Sequence, residues 1–281
     1  MNTQIITRSL LVVAVLFQHT LLAEPPRFTA EILERFPSDN AYQAIAVDTE
    51  YFYTINNTRI SKHHKRSGEL LAQWDDGEAL PAPLMHLDSA VVLDGELIAS
   101  HSNFPRWPMT SSIEVWDSQS LQHKRSRQLG VLLGSMTWLD RINGSWWGAF
   151  ANYDIAKVGS IEPYGGSANT VVVSFDADFN VIQQWRLPAE IIAKISPMSN
   201  SGGSWGSDGY LYLTGHDDPE IYVMRPDADQ EELSWIATVD VAGLNGQGIA
   251  WDRASGNNEL WAILRSSREA LRIEMPIIRV E

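Results

Sequence analysis

The stretch GSDGYLYLTGHDDPEIYVM, Gly206–Met224, contains two short strand patterns joined by a charged link. The pair Asp208-Gly209 is a hairpin-turn signal, because glycine accepts the positive φ that a two-residue turn requires. The segment from Tyr210 to Thr214 alternates like a β-strand, and EIYVM predicts the next strand. The link GHDDPE places the imidazole of His216 among three carboxylates, which is unusual chemistry for the end of a strand.

This unit recurs along the chain. An aspartate closes the first strand of each unit, and successive aspartates are spaced by 46, 46, 68 and 44 residues. A period of about 45 residues is typical of β-propeller blades, each of which is a small four-stranded sheet. The insertion NYDIAKVGSIEPYGGSANT, Asn152–Thr170, accounts for the long interval. The five aspartates are Asp48, Asp94, Asp140, Asp208 and Asp252.

Four short strand patterns can be read in every unit, so we predict an all-β fold: a β-propeller of five four-stranded blades within residues 24–281. The segment FTAEILERF, Phe28–Phe36, precedes the first unit and is predicted to pair with the last blade and close the ring. The segment IIRVE, Ile277–Glu281, is predicted as the fourth strand of the last unit. PAEIIAKI, Pro188–Ile195, is the main helix candidate. A sixth, degenerate blade is the alternative.

The first 23 residues have the pattern of a secretory signal peptide. Arg8 precedes the apolar segment SLLVVAVLF, which is too short for a membrane span, and Ala23 is a small residue suited to cleavage. The chain has no cysteine, which excludes disulfides, thiolate metal sites and a cysteine nucleophile. We therefore expect a periplasmic or secreted protein that folds without disulfides.

The charge of the chain is strongly acidic. The formal net charge of −14 becomes −15 without residues 1–23, because Arg8 is the only charged residue among them. Nucleic acids and anionic membranes are therefore disfavoured as partners. We expect a monomer that acts on a small molecule. The 11 tryptophans are interpreted as core filling between sheets.

Two short motifs carry a family resemblance. GQGIAWD, Gly246–Asp252, and YLYLTGHD, Tyr210–Asp217, resemble the repeats of bacterial and plant-type glutamine cyclotransferases. In architecture the chain also resembles gluconolactonase-like and NHL-type propellers. The Phe-Thr-Gln-Gly repeat of the cyclotransferases is absent apart from Gln247-Gly248, so the resemblance implies the fold and leaves the reaction open.

The polar chemistry is concentrated on one face of the predicted propeller. The links between second and third strands share a face with the entries to the first strands, and we call this end of the ring the mouth. The residues placed there are Gln43, His86, Asp88, His101, Arg106, Asp154, His216, Asp217, Asp218, Gln247, Arg265 and Arg268.

One interpretation of the three mouth histidines is a metal site. Imidazoles with a carboxylate form the usual open site for a divalent ion, here zinc, manganese or calcium. The proposed ligands are His86, His101, His216 and Asp218. The alternative is that the histidines cap strand ends through hydrogen bonds.

A second interpretation needs no metal. His216 or His101 would act as a general base or acid, tuned by Asp217, while Arg265 would stabilise an anionic group of the substrate. When the units are aligned on their turns, His101 matches Gly215 instead of His216. Adjacent strand positions point to opposite faces, so convergence of the two imidazoles is not implied.

Substrate binding is predicted around the same mouth. Trp107, in the proline-rich loop NFPRWPM, could stack on a sugar ring or an aromatic substrate. The other predicted substrate-binding residues are Gln43, Arg106, Asn152, Tyr153 and Gln247.

The sequence thus favours an exported propeller enzyme of hydrolase or lyase type. Its expected substrate is a small polar molecule, such as a sugar derivative or lactone, bound at the mouth. A non-catalytic propeller that binds carbohydrate or peptide is the first alternative. A glutaminyl cyclase, implied by the resemblance, is the second.

Overall fold

The computed structural model describes residues 24–75, 84–155 and 165–279. Five small sheets form a ring, because the inner strand of each sheet contacts the inner strands of the next and the previous one. The predicted all-β, five-bladed propeller is therefore confirmed. The predicted signal peptide, residues 1–23, lies outside the described residues. No helix in the described ranges is both long and apolar enough to cross a bilayer.

The strands follow one order, from the inner to the outer edge of each blade. Two strands precede the first blade: β1, Arg27–Thr29, and β2, Glu31–Pro37. Blade one contains β3 Ala44–Val47, β4 Tyr51–Asn56, β5 Arg59–His64 and β6 Leu70–Asp75; blade two contains β7 His86–Leu93, β8 Glu96–Ser102, β9 Ser111–Asp117 and β10 His123–Gly130. Blade three contains β11 Ser135–Ile142, β12 Ser145–Ala151, β13 Val171–Phe175 and β14 Val181–Arg186; blade four contains β15 Gly202–Trp205, β16 Leu211–Thr214, β17 Glu220–Arg225 and β18 Ser234–Asp240; blade five contains β19 Ala250–Trp251, β20 Glu259–Leu264 and β21 Glu269–Glu274.

The N-terminal strands close the ring. β2 pairs antiparallel with β21 and supplies the fourth strand of blade five, as predicted for the segment Phe28–Phe36. β1 pairs in parallel with β18 and covers the outer edge of blade four. The predicted strand Ile277–Glu281 is wrong for residues 277–279, which have no strand pairing. Its place beside β21 is already taken by β2, since a strand offers only two edges.

The helix prediction is confirmed. α1 spans Ala189–Ile195 with Pro188 as its N-cap, and it links blades three and four. Proline suits the start of a helix, because its missing N–H would be unpaired there in any case. The buried side chains of Ile191 and Ile195 anchor the helix to the core. A 3₁₀ turn, Ser167–Asn169, lies in the predicted insertion of blade three.

The inner strands pack closely around the axis. A Cβ atom at Gly203 would lie 2.3 Å from Cε2 of Trp138, and one at Gly248 would lie 2.4 Å from Cβ of Ala44. Glycine is therefore needed here for close approach of the strands. The Gly-rich entry to β15 is thus explained by packing.

Tryptophans fill the space between blades, as expected from the sequence. Trp138 is fully buried between blades three and four and donates its indole N–H to Oδ1 of Asn200, 2.7 Å away. The edge of Trp205 meets Trp147, with ring centroids 4.9 Å apart. Such aromatic pairs stabilise a core beyond the area that they bury.

Most of the repeated aspartates organise turns on the face opposite the mouth. Asp48 accepts hydrogen bonds from the backbone N–H groups of residues 50 and 51 and from the hydroxyl of Tyr53. Asp208 accepts from the backbone of residue 210 and from the hydroxyl of Tyr212, 2.6 Å away. The repeat therefore reflects turn capping.

Candidate functional site

A cavity of about 380 Å³ lies at the mouth of the ring, and all five blades contribute to it. This volume is in the range of small-molecule sites. The sequence-predicted residues that line it are Gln43, His86, Tyr153, His216, Gln247 and Arg265; Asp88 lines it as well.

A larger cavity of about 930 Å³ lies on the opposite face, between blades one and five. Two of the cationic side chains that line it already have carboxylate partners: Nζ of Lys65 is 2.6 Å from Oδ2 of Asp252, and Nε of Arg272 is 3.1 Å from Oε2 of Glu34. A paired charge has less to offer a ligand than an unpaired one. The mouth cavity is therefore the stronger candidate site.

His216 lies just beyond the end of β16 and faces the mouth cavity. The preceding Gly215 lets the chain pass close to α1, since a Cβ there would lie 2.7 Å from Cγ2 of Ile195. Nδ1 of His216 is 2.7 Å from Oδ1 of Asp217. A carboxylate on Nδ1 holds the proton on that nitrogen and leaves Nε2 as an acceptor. His216 thus has the arrangement of a general base.

Asp88 is a buried carboxyl group in the cavity wall. The pairing of β7 with β8 shifts register between Leu87 and Ala90, and such a bulge redirects the side chains within it. Oδ2 of Asp88 is buried and has no hydrogen-bond partner among the described residues, and Oδ1 is 3.4 Å from Nε2 of His86. Burial raises the pKa of Asp88 well above its usual value, although the charge of Arg265 opposes this effect. A neutral Asp88 can donate a proton.

Arg265 follows the end of β20 and is held by neutral acceptors. Its Nε donates to the carbonyl oxygen of Tyr42, and one Nη donates to Oε1 of both Gln43 and Gln247, each at 2.8 Å. The guanidinium carbon lies 4.3 Å from the ring centroid of Tyr42. Burial lowers the pKa of Arg265 from its ordinary value, yet an arginine stays charged at neutral pH. The site therefore contains an oriented positive charge.

Gln247 links this cation to the candidate base. Besides accepting from Arg265, its amide donates to the carbonyl oxygen of His216 at 3.2 Å. Its φ of +77° lies in the left-handed region, where residues other than glycine are strained. The hydroxyl of Thr214 donates to the Gln247 carbonyl oxygen at 2.6 Å and holds this conformation. Strain of this kind is often stored at functional sites.

His101 does not line the cavity. Its Nε2 accepts from the backbone N–H of Met85 at 3.0 Å, and its Nδ1 is 2.8 Å from Oγ of Ser112. Ser112 in turn donates to Oε1 of the buried Glu114. These partners require a neutral imidazole, so His101 positions the Met85 backbone behind the cavity wall.

Other predicted site residues are placed apart from the cavity. The amide of Asn152 donates to the carbonyl oxygens of Leu133, at 2.9 Å, and Asn169, at 3.0 Å, and so braces two loops. Arg106 and Trp107 lie on the exposed rim, where Trp107 keeps 49% of its surface accessible.

The four predicted metal ligands do not form one cluster. In the described ranges, no group of three or more His, Asp or Glu residues is arranged to hold a metal ion. His86 and His216 line the cavity, whereas His101 faces Ser112 and Asp218 is not part of the lining. The geometry therefore supports the acid–base interpretation more than the metal one.

Sequence reasoning placed Asp88 at the mouth without a chemical role and did not identify Thr137, although both line the cavity. Each sits in a register shift of its inner strand, at Leu87/Ala90 and at Met136/Trp138. The only local signal was a polar residue inside a largely apolar strand, as in HLDSAVVL. That signal does not reveal which side of the strand the residue faces.

Protonation of His101 is expected to destabilise the fold in acid. Burial lowers its pKa to about 4 from the ordinary 6.5, so between these values only the unfolded chain binds the proton. The contribution of neutral His101 to the free energy of unfolding is complete above about pH 6.5. It falls by up to ~1.4 kcal/mol for each pH unit between pH 6.5 and pH 4.

Urea unfolding of the wild type and a His101→Gln variant across this range measures the effect. The buried Asp88 has a raised pKa and acts in the opposite direction, so the difference between the two proteins isolates His101. We expect the wild type to lose stability relative to the variant as the pH falls. A difference that is independent of pH would contradict the assignment.

Comparison with known proteins gives a fold and no family. No family model and no curated protein matches the sequence. The chain is similar in structure to luciferin-regenerating enzyme, with a TM-score of 0.52 and 11% identity over 90% of this chain and 97% of that one. It is also similar to the PQQ-bound form of aldose sugar dehydrogenase from Streptomyces coelicolor, with a TM-score of 0.51 and 11% identity over 92% of this chain and 84% of that one. At this identity, the likeness shows the β-propeller architecture and confirms that part of the expected resemblance.

Proposed function

We propose that this propeller is a hydrolase that cleaves a small lactone or ester at its mouth by acid–base catalysis. The observation that carries the proposal is a single cavity lined by His216, Asp88 and Arg265. The three side chains supply a base, an acid and a positive charge, which are the groups that acyl transfer to water requires.

His216 is proposed to activate water. Its Nε2 has no hydrogen-bond partner among the described residues, while Asp217 holds Nδ1. Nε2 takes a proton from water as the water oxygen forms a bond to the carbonyl carbon of the substrate. The charge that develops on the imidazole is stabilised by the Asp217 carboxylate.

Arg265 and Asp88 are proposed to neutralise the negative charges that develop on the substrate, on the carbonyl oxygen and on the leaving group. The guanidinium stabilises the oxyanion of the tetrahedral intermediate, because it is held in place before the reaction begins. The neutral carboxyl of Asp88 gives its proton to the leaving alkoxide as the C–O bond breaks. The proton on His216 then returns to Asp88 through water, and the products are an alcohol and a carboxylic acid, which releases its proton to solvent and becomes a carboxylate.

We also propose an exported, monomeric enzyme whose partner is a small molecule. The acidic net charge of −14 supports this choice over nucleic acid or an anionic membrane. The same base would serve a β-elimination, and product analysis separates the two reactions. Hydrolysis yields an alcohol, whereas elimination yields an alkene.

The Asp217→Asn variant tests the dyad. We expect it to lower kcat/KM on a panel of small lactones and esters by about tenfold, because the amide no longer stabilises the charged imidazole. The loss is modest because 76% of the Asp217 side chain is exposed and water replaces part of the interaction. Asp218→Asn is the matched control: no hydrogen bond joins that side chain to His216 in the described part of the chain. Equal losses in both variants would contradict the dyad.

A further inference from the structure

The mouth cavity has two chemically different sides. Blades one, four and five supply polar groups, of which Arg265 and His216 carry the chemistry, and Asp88 of blade two is close enough to Arg265 to respond to its charge. The remaining wall comes from blades two and three and from the link after α1, and apart from polar side chains such as His86 and Thr137 it is apolar. Its apolar side chains are Met85, Phe104, Pro105, Tyr153 and Met198.

The polar side is arranged to receive an anion. Arg265 donates only to neutral oxygens of Tyr42, Gln43 and Gln247, and it forms no ion pair within the described residues. One of its Nη groups has no hydrogen-bond partner there. Asp88 adds a buried Oδ2 without a partner, and a neutral carboxyl donates to a carboxylate. A bound carboxylate would satisfy both groups.

The opposite side is a small aromatic and thioether wall. The rings of Phe104 and Tyr153 lie 5.2 Å apart, and the ring of His86 lies 4.8 Å from Phe104. Met198 packs against the same cluster. Aromatic rings and methionine sulfur favour contact with a flat apolar group. The hydroxyls of a sugar acid would lose water against this wall without gaining enough partners, which costs free energy.

We propose that the substrate carries an aryl or similarly flat apolar group joined to its acyl carbon by a short linker, so that the product is an aryl-substituted carboxylate. This substrate class rests on the proposed hydrolase function. The acyl carbon lies at Arg265 and the ring lies against Phe104 and Tyr153. A polyhydroxylated sugar lactone is the poorer substrate.

Binding of three probes to the wild-type protein, measured by calorimetry, tests the class without any turnover. The probes are 3-phenylpropionate, 3-phenylpropionamide and gluconate. We expect 3-phenylpropionate to bind about tenfold more tightly than the amide, which lacks the charge, and than gluconate, which lacks the ring. Equal or tighter binding of gluconate, or no binding of any probe, would overturn the proposal.

Two pairs of variants test which side chains bind the carboxylate and the phenyl ring of the probe. Arg265→Gln should remove the preference for carboxylate over amide, whereas Arg268→Gln should retain it. Arg268 is a matched control, because its guanidinium carbon also lies 4.3 Å from the Tyr42 ring centroid and its side chain does not line the cavity. Phe104→Ala should weaken binding of the phenyl probe about tenfold, while Phe28→Ala should not, because Phe28 lies in β1 and does not line the cavity. The reverse order within either pair would refute the assignment.

Failure of this inference differs from failure of the proposed function. If 3-phenylpropionate binds as expected but no ester or lactone is cleaved, the binding class stands and the hydrolase proposal falls. If sugar lactones are cleaved as fast as aryl ones and the phenyl probe has no advantage, the hydrolase proposal stands and the substrate class falls.

Discussion

His216→Ala is expected to lower kcat/KM by about 10²–10⁴-fold, which is the range for loss of a positioned general base. The imidazole lines the cavity, and the Asp217 carboxylate on Nδ1 leaves Nε2 as an acceptor. The side chain is a quarter exposed and lies beyond the end of β16, so its removal should leave the blades intact. Hydrolysis of a panel of lactones and esters, with melting temperature recorded alongside, measures both effects.

His101→Gln is the control for this result. His101 is also a mouth histidine by sequence, but its two nitrogens are occupied by Met85 and Ser112. The control should lose stability and keep turnover once folded. Added imidazole should partly restore activity to His216→Ala, since a free base can occupy the vacated space. Unchanged turnover in His216→Ala would contradict the acid–base proposal, whereas no turnover of any substrate by the wild type would favour a binding propeller.

A glutaminyl peptide substrate separates the cyclase alternative from hydrolysis. Cyclisation also needs a base, so His216-dependent conversion of an N-terminal glutaminyl peptide, with no ester cleavage, would select that alternative. Its absence at high enzyme concentration would reject it.

Much of the fold follows from local sequence signals. The turn at Asp208-Gly209 and the recurring aspartates fix hairpins, and hairpins at a steady spacing specify blades. The partner of an edge strand depends on distant parts of the chain instead. The sequence therefore did not predict that β1 pairs with the outer strand of blade four. For the same reason, it predicted Ile277–Glu281 at the edge of blade five that β2 occupies.

The site was less predictable, because a side chain's direction depends on strand register. His101 lies inside the paired region of β8 opposite Leu87, so alternation turns it away from the cavity. His216 lies past the last pair of β16 and escapes that constraint. Asp88 faces the cavity through a bulge, and a one-residue bulge has no reliable sequence signature. The loops' residue types were visible in the sequence, but their convergence was not.

The five repeated aspartates look equivalent in the sequence and are not equivalent in the structure. Asp140 is almost completely buried, with 3% of its side chain exposed. Its Oδ2 accepts hydrogen bonds from the backbone N–H of Trp205 at 2.8 Å and from the hydroxyl of Ser204 at 3.1 Å. The guanidinium of Arg253 donates to Oδ2 as well, and to Oδ1 at 3.1 Å. It thereby joins blades three, four and five. Asp94 holds the same repeat position but is exposed in its turn, with φ of +51°.

Asp140→Asn is therefore expected to destabilise the protein by about 3 kcal/mol, while Asp94→Asn should change stability by less than about 0.5 kcal/mol. The first substitution leaves Arg253 without its charged partner, and the lower end of the usual range applies because a third of the Arg253 side chain is exposed. The second is neutral because asparagine tolerates a left-handed turn as aspartate does. Guanidinium unfolding midpoints at constant slope measure both changes. A double-mutant cycle with Arg253→Gln checks the cause: if the two losses simply add, the pair is not what stabilises the junction of the three blades.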